Sequence, residues 1–322
     1  MVIKQIENTV KKVILILLFP LFLVSQENNY SMSFDGVDDY IDFGSNLNFT
    51  DDFTISVWIK TDSVGTDGFN PIFYKDIEDD CYGLPESQIE IYLGNSGLNI
   101  AINRFADTDY QNINAWHGMN IPVTLAANTW INLAVVYNSN CVSAYIDGQE
   151  LSLANATVSE ITEWTFTPPD QSSYEIDTNG NNCDFIAIDT TVNYPATLGN
   201  STNCTLGDDS YFYGFMDDLH IWDIALSEYQ INNYLTCPPT GNEAALIGYW
   251  NFEEGEGIIA NDIASGNNGT ISDENMYYFG DTPDTYLTCT NQNEEENNNT
   301  LNSLVGDVNC DGDITIDDLQ LL

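Results

Sequence analysis

Apolar and polar residues alternate through much of the chain between residue 30 and about 225. Phe53, Ile55, Val57 and Ile59 fall on one face of 53–59, the period-two pattern of a strand with one buried side. Residues 131–137 (INLAVVY) predict a further apolar strand. Residues 142–146 predict another, and Asp147-Gly148 after it supplies a hairpin turn signal. Strands at this density, separated by Asn-, Asp- and Gly-rich turns, predict an all-β sandwich rather than a helical or α/β fold. One short helix is expected over 226–235. Ser227 and Gln230 form a capping box there, and Ile231, Tyr234 and Leu235 supply an apolar stripe. Cys237-Pro238-Pro239 then breaks the chain, and two strand-like pieces follow at 246–252 and 269–271. The pattern in 62–127 assigns no strand order.

Charge narrows the range of partners. The 322 residues include 50 Asp and Glu against 6 Lys and Arg, a formal net charge of -44. Lys4, Lys11 and Lys12 precede an apolar run, so only Lys60, Lys75 and Arg104 serve the rest of the chain. Nucleic acid and anionic membrane surfaces are excluded as partners, because neither would meet cations. Global disorder is excluded by a hydrophobic content of 43% and an aromatic content of 12%. The apolar run 13–24 is too short to cross a bilayer core of roughly 30 Å and reads as an export signal, with cleavage expected near Ser25 and Gln26. Export permits disulfides. The expected pairs among the seven cysteines are Cys237 with Cys289, Cys183 with Cys204 and Cys81 with Cys141. Cys310 is left to pair downstream or to stay a free thiol.

The motifs carry a resemblance. Phe34-Asp35-Gly36-Val37-Asp38-Asp39-Tyr40-Ile41 leads to the strand at 53–60. Residues 128–137 lead to Tyr145-Ile146-Asp147-Gly148, and 212–222 lead to Ala225-Leu226-Ser227. In this order they resemble the laminin-G-like jelly rolls of the concanavalin A-like lectin and glucanase sandwiches. The resemblance implies two antiparallel sheets and recognition of a glycan or cell-surface protein. Residues 248–255, with Asp262 and 265–270, resemble that family's first strand pair, which normally precedes the Phe34 motif. Here the pair either completes the sandwich from the C-terminal side or is a partial second repeat. The chain thus divides into a signal (1–26), a sandwich (27–236), a satellite β segment (237–290), an acidic linker (291–303) and a final motif (304–322).

That final motif resembles a dockerin-type calcium repeat, a small EF-hand-like loop. Asp307, Asn309, Asp311 and Asp318 occupy loop positions 1, 3, 5 and 12, with Gly312 at the sharp turn and Asp313 following. The resemblance implies calcium as the cofactor. Dockerins carry two such repeats, so a single repeat that ends mid-helix leaves cohesin-type docking unsupported and suggests a truncated chain.

Candidate chemistry is sparse. Related glucanases place alternate carboxylates on one strand face, about 5–5.5 Å apart for a retaining mechanism. The near match Glu175-Ile176-Asp177 runs into Asn179 and Gly180 and reads as a loop, so no catalytic pair is assigned. His220 reads as a surface residue. His117, in a long loop, is either an exposed residue or a sugar contact. Alternation with Phe215, Leu219 and Ile221 places Asp217 toward the core, where it needs backbone donors or a cation. A second calcium could take Asp35, Asp38, Asp217 and Asp218. Tyr82, Tyr92, Tyr110 and Trp116 are candidate platforms for sugar rings. The leading expectation is an exported or surface-bound, non-catalytic module that binds glycan or a cell-surface partner with structural calcium. The alternatives are a glycoside hydrolase on the same scaffold, or a structural spacer of a longer surface protein.

Overall fold

The computed structural model describes residues 29–49, 52–61, 68–75, 88–103, 116–167, 171–180, 182–183, 185, 194–201 and 210–283. Among these, nearly all regular structure is antiparallel strand. One sheet of eight strands runs in the order β10-β9-β8-β3-β16-β1-β20, with β17 also paired to β16. Its members are β1 (Tyr30–Asp35), β3 (Phe53–Lys60), β8 (Ile131–Asn138), β9 (Cys141–Ile146), β10 (Gln149–Glu150), β16 (Tyr213–Trp222), β17 (Leu246–Trp250) and β20 (Tyr277–Phe279). The second sheet has ten strands, in the order β12-β11-β7-β6-β5-β4-β13-β2-β19-β18. Those are β2 (Ile41–Asp42), β4 (Phe69–Lys75), β5 (Ile89–Gly94), β6 (Gly97–Asn103), β7 (Trp116–Ile121), β11 (Thr157–Thr167), β12 (Gln171–Gly180), β13 (Ala196–Leu198), β18 (Ile259–Ala260) and β19 (Gly269–Ile271). A short pair, β14 (Asn200–Ser201) with β15 (Ser210–Tyr211), forms a ladder of its own beside β4.

The two sheets enclose one apolar core. Phe53, Ile55, Val57 and Ile59 of β3 enter it with Ile91, Leu93, Leu98, Ile100 and Ile102 of β5 and β6. Period-two alternation therefore sets the register of both sheets, since a one-residue slip would turn each set to the opposite face. Two turns show how the sequence closes its hairpins. Ser139-Asn140 joins β8 to β9 and Asp147-Gly148 joins β9 to β10, and all four residues have positive φ. That is the geometry of a two-residue turn whose twist matches the strands. Residues 246–279 add strands to both sheets: β17 pairs with β16, β20 with β1, and β19 with β2. Lys60 and the indole of Trp130 both donate to Asp281, at 2.6 and 3.0 Å, which fastens the end of this segment to β3.

A second apolar cluster lies on the outer face of the eight-stranded sheet. Helix α1 (Glu228–Thr236) starts at the expected capping box, with Ser227 accepting from Gln230 N and Gln230 Oε1 accepting from Ser227 N. Its Ile231 packs with Ala134, Val136, Trp222, Leu226, Leu246 and Tyr249. This cover overturns the surface reading of His220, which is only 3% exposed. Trp222 Nε1 donates to His220 Nδ1 at 2.8 Å, and burial lowers the imidazole pKa to about 3. His220 does alternate with Leu219 and Ile221, but a helix sits where solvent was expected.

The cysteine framework also differs from expectation. Cys141 bonds to Cys183, and Cys237 is a free thiol. The bridge reinforces a strap in which Val142 N donates to Asn182 O and Phe185 N to Asn140 O. Pairing of 141 with 183 excludes both the 183–204 and the 81–141 bridges. Cys81, Cys204, Cys289 and Cys310 lie outside the described residues. No helix among the described residues is long and apolar enough to cross a membrane.

Candidate functional site

The outer face of the ten-stranded sheet carries a trough, and its residues follow directly from the register. Tyr92 of β5 lies opposite Asn99 of β6, Asn99 opposite Asn120 of β7, and Asn120 opposite Thr157 of β11. These four positions form one row across the sheet, while their neighbours Ile91, Leu98, Met119 and Val158 point into the core. The adjacent outward row is Ala101, Gly118 and Ser159, where small side chains leave the backbone open. The contrast between the two rows creates a depression of about 120 Å³, lined by Tyr92, Asn99, Ala101, Gly118, Asn120 and Thr157.

The trough is held in shape before any ligand arrives. Tyr92 packs against Phe69 with ring centres 4.3 Å apart, and Phe69 in turn packs on Tyr74. Asn120 Nδ2 donates to Asn99 Oδ1 at 2.9 Å and to Ser96 Oγ at 3.0 Å, and Asn99 Nδ2 donates to Gly97 O at 3.1 Å. Asn120 Oδ1 and one amide hydrogen of Asn99 have no protein partner among the described residues. Gly97 makes this corner possible. Its φ is +136°, and a Cβ there would collide with the Ile121 carbonyl. Burial and the charge of Glu90 push the Tyr92 hydroxyl up to about 12, so it remains a neutral donor.

A separate acidic cluster lies where β1 ends. One carboxylate oxygen from each of Asp35, Asp38 and Asp39 lies within 4.8 Å of the others. Local backbone shapes it: Asp35 Oδ1 accepts from Val37 N at 2.8 Å, and Asp39 Oδ2 accepts from Asp35 N at 2.8 Å. Burial raises the Asp39 pKa to about 6, assisted by the charges of Asp35, Asp38 and Asp273.

Asp217 and Asp218 do not join this group. Asp35 pairs with Tyr213, and Asp217 lies four residues further along β16, about 13 Å away. The expected facing of Asp217 also changes. Met216 is in the core, so alternation puts Asp217 on the face of Phe215. A bulge with Asp218 at φ +46° then resets the phase before Leu219. Asp217 is nevertheless 1% exposed. Its Oδ1 accepts from Asp218 N, and its Oδ2 has no partner among the described residues. Burial and the neighbouring charges of Asp218 and Glu253 hold its pKa well above the carboxylate range. Tyr249 donates to Asp218 Oδ1 at 2.9 Å.

Other expected site residues disperse. Tyr92 is in the trough, whereas Tyr82, Tyr110 and the loop of Asp307, Asn309, Asp311, Asp313 and Asp318 lie outside the described residues. Trp116 occupies the β7 register position opposite Asn103, two residues from Gly118. His117 is on strand β7 rather than in a loop. It shares the inward phase of Met119 and Ile121, is 9% exposed, and meets the edge of Phe185 at 5.8 Å. The segment Glu175-Ile176-Asp177 is part of edge strand β12, not a loop, with Glu175 opposite Glu163 and Asp177 opposite Glu160. Asn99, Asn120, Thr157 and Ser159 escaped the sequence reading. Their signal was the alternation 89–93 and 98–102 about the turn Asn95-Ser96-Gly97, which marks β5 and β6 as a hairpin.

Comparison with known proteins agrees with this architecture. Residues 35–185 match the Laminin_G_3 family model, described as the concanavalin A-like lectin/glucanases superfamily. Over these residues the antiparallel sandwich is similar to a concanavalin A-like jelly roll. A protein from Bacteroides ovatus ATCC 8483, provisionally described as carbohydrate binding, has a similar structure with a TM-score of 0.53 at 16% identity. The alignment covers 81% of this chain and 62% of that one, so the chain spans less than two thirds of the Bacteroides protein. Domain 4 of AbnA, a GH43 extracellular arabinanase from Geobacillus stearothermophilus in complex with arabinotriose, aligns at a TM-score of 0.36 and 18% identity. That alignment covers 62% of this chain and 70% of that one. Mouse laminin alpha1 chain domains LG4-5 align at 0.38 and 12% identity, covering 62% and 46%. At 16% identity the likeness to the Bacteroides protein is one of fold. A search of curated proteins finds no match to the sequence.

Proposed function

We propose that this protein is an exported, non-catalytic glycan-recognition module, and that the ten-stranded sheet presents its binding face. The observation that carries the reading is the row Tyr92, Asn99, Asn120 and Thr157 beside the small-residue floor of Ala101 and Gly118. An aromatic ring offers a flat apolar surface to the C–H face of a sugar. Amides and hydroxyls both donate and accept, as sugar hydroxyls do. The jelly-roll fold and the carbohydrate-binding description of its Bacteroides neighbour support the same class. Export accords with the leader-like run at 13–24 and with the Cys141–Cys183 bridge.

Calcium is part of the proposal. The Asp35, Asp38 and Asp39 carboxylates form an all-oxygen donor set of the kind Ca²⁺ takes, and their mutual repulsion is what a divalent cation would relieve. The 307–318 loop is proposed as a second site on its ligand spacing. The test is a glycan array probed with calcium and again with chelator. Binding to arrayed glycans is expected, and binding to none in either condition would overturn the recognition reading.

A glycoside hydrolase remains the second reading, because Glu175 and Asp177 share a strand and pair in register with Glu163 and Glu160. Release of reducing ends from a polysaccharide panel, abolished by Glu175→Gln, would establish it in place of simple binding.

A further inference from the structure

We infer that the trough selects uncharged glycan chains and rejects anionic ones, an inference that rests on the glycan reading of this face. Every group the trough presents for recognition is neutral: the Tyr92 ring, the Asn99 and Asn120 amides, and the hydroxyls of Thr157 and Ser159. The row spans three inter-strand gaps, about 14 Å, which suits a short stretch of polysaccharide better than a single sugar ring. A chain laid along it would meet Asn120 Oδ1 and the spare Asn99 hydrogen as ready partners for hydroxyls.

Among the described residues, the charge beside the trough has one sign. Glu90 lies directly opposite Ala101, at the β5 end of the floor, and its charge is felt by the neighbouring Tyr92. A uronate, sulfate or sialate seated there would lose water beside a like charge and gain no cation. The two lysines among the described residues are committed elsewhere. Lys60 pairs with Asp281 on the other sheet, and Lys75 is 1% exposed with its ammonium donating to Tyr194 O. Arg104, outside the described residues, is the one other cation beyond the leader. Over longer range a net charge of -44 repels polyanions wherever screening allows, within roughly 8 Å at physiological ionic strength.

The test is affinity electrophoresis followed by isothermal titration calorimetry on the full chain, at low and high salt. Laminarin, xylan, mannan and arabinan serve as uncharged probes, and alginate and polygalacturonate as anionic ones. At least one uncharged polymer is expected to bind with an affinity that salt does not change, and the anionic polymers are expected not to bind. Tyr92→Ala and, independently, Asn120→Ala should each weaken binding about tenfold or more, with melting temperatures recorded so that a misfolded variant is not mistaken for a lost contact. An anionic polymer that binds in a Tyr92-dependent way would overturn the selection but leave the glycan face standing. Uncharged binding untouched by both substitutions would place the site elsewhere. Binding to neither class would overturn the glycan reading itself.

Discussion

His220 gives the sharpest check on how the outer face of the eight-stranded sheet is covered. The imidazole is buried between β16 and α1, takes a hydrogen bond from Trp222 Nε1, and is edge-on to Trp222 and Tyr249. Burial holds its pKa near 3, below the ordinary 6.5, so the fold favours the neutral ring. The folded value lies below the unfolded one, so only the unfolded chain takes up a proton as pH falls through 6.5. Stability is therefore complete above about pH 6.5 and is lost progressively toward pH 3. Between pH 7 and pH 5 this amounts to about 2 kcal/mol, since each unit separating the folded from the unfolded titration is worth roughly 1.4 kcal/mol. Gln at 220 can still accept from the Trp222 indole but has no proton to gain. Urea unfolding of wild type and His220→Gln at both pH values, followed by tryptophan fluorescence, should show a shallower loss for the variant by about that 2 kcal/mol. Equal losses in the two proteins would mean that His220 is solvated and that α1 does not seal this face.

Three further outcomes follow from the same structure. Replacing Cys141 and Cys183 by Ser opens a loop with a sequence separation of 42, which chain-entropy scaling values at about 4 kcal/mol; an unchanged guanidinium midpoint would refute the bridge. The raised pKa of Asp217 means the fold prefers its protonated form, so stability is lost as pH rises above the unfolded value of 3.8. In chelator, Asp217→Asn should therefore raise the melting temperature at pH 7 and have no effect at pH 3. A calcium-dependent fall at pH 7 would instead mark Asp217 as a cation ligand. Gly97→Ala should cost at least about 1 kcal/mol, because φ is +136° and the new methyl meets the Ile121 carbonyl. It should also weaken glycan binding by shifting β6 against β7; wild-type stability would show that this corner is not tight.

The fold was legible where one physical rule acted alone. Alternation in 53–59, the Asp147-Gly148 turn and the Ser227–Gln230 cap each depend on a few neighbouring residues, and each took the expected form. Failures came where a distant element decided the outcome. His220 has the right phase, but α1, packed by tertiary contacts, covers it. The Asp217 phase was reset by a bulge at Asp218 whose left-handed backbone no local pattern announces. The Cys141 partner depended on where Asn182 and Phe185 bond to the β8–β9 hairpin. The trough was the least legible of all. Asn99, Asn120 and Thr157 are ordinary polar positions along the chain, and only the pairing of four strands brings them into a row.

The most direct measurement is a nuclear magnetic resonance titration with an oligosaccharide of whichever uncharged polymer binds, following the side-chain amide signals of asparagine. If the trough is the binding face, the Asn99 and Asn120 signals shift together and saturate at the dissociation constant found by calorimetry, while Asn232 and Asn267, on the α1 side and in the 262–268 turn, stay in place. Shifts of Asn232 or Asn267 with Asn99 and Asn120 unmoved would contradict it.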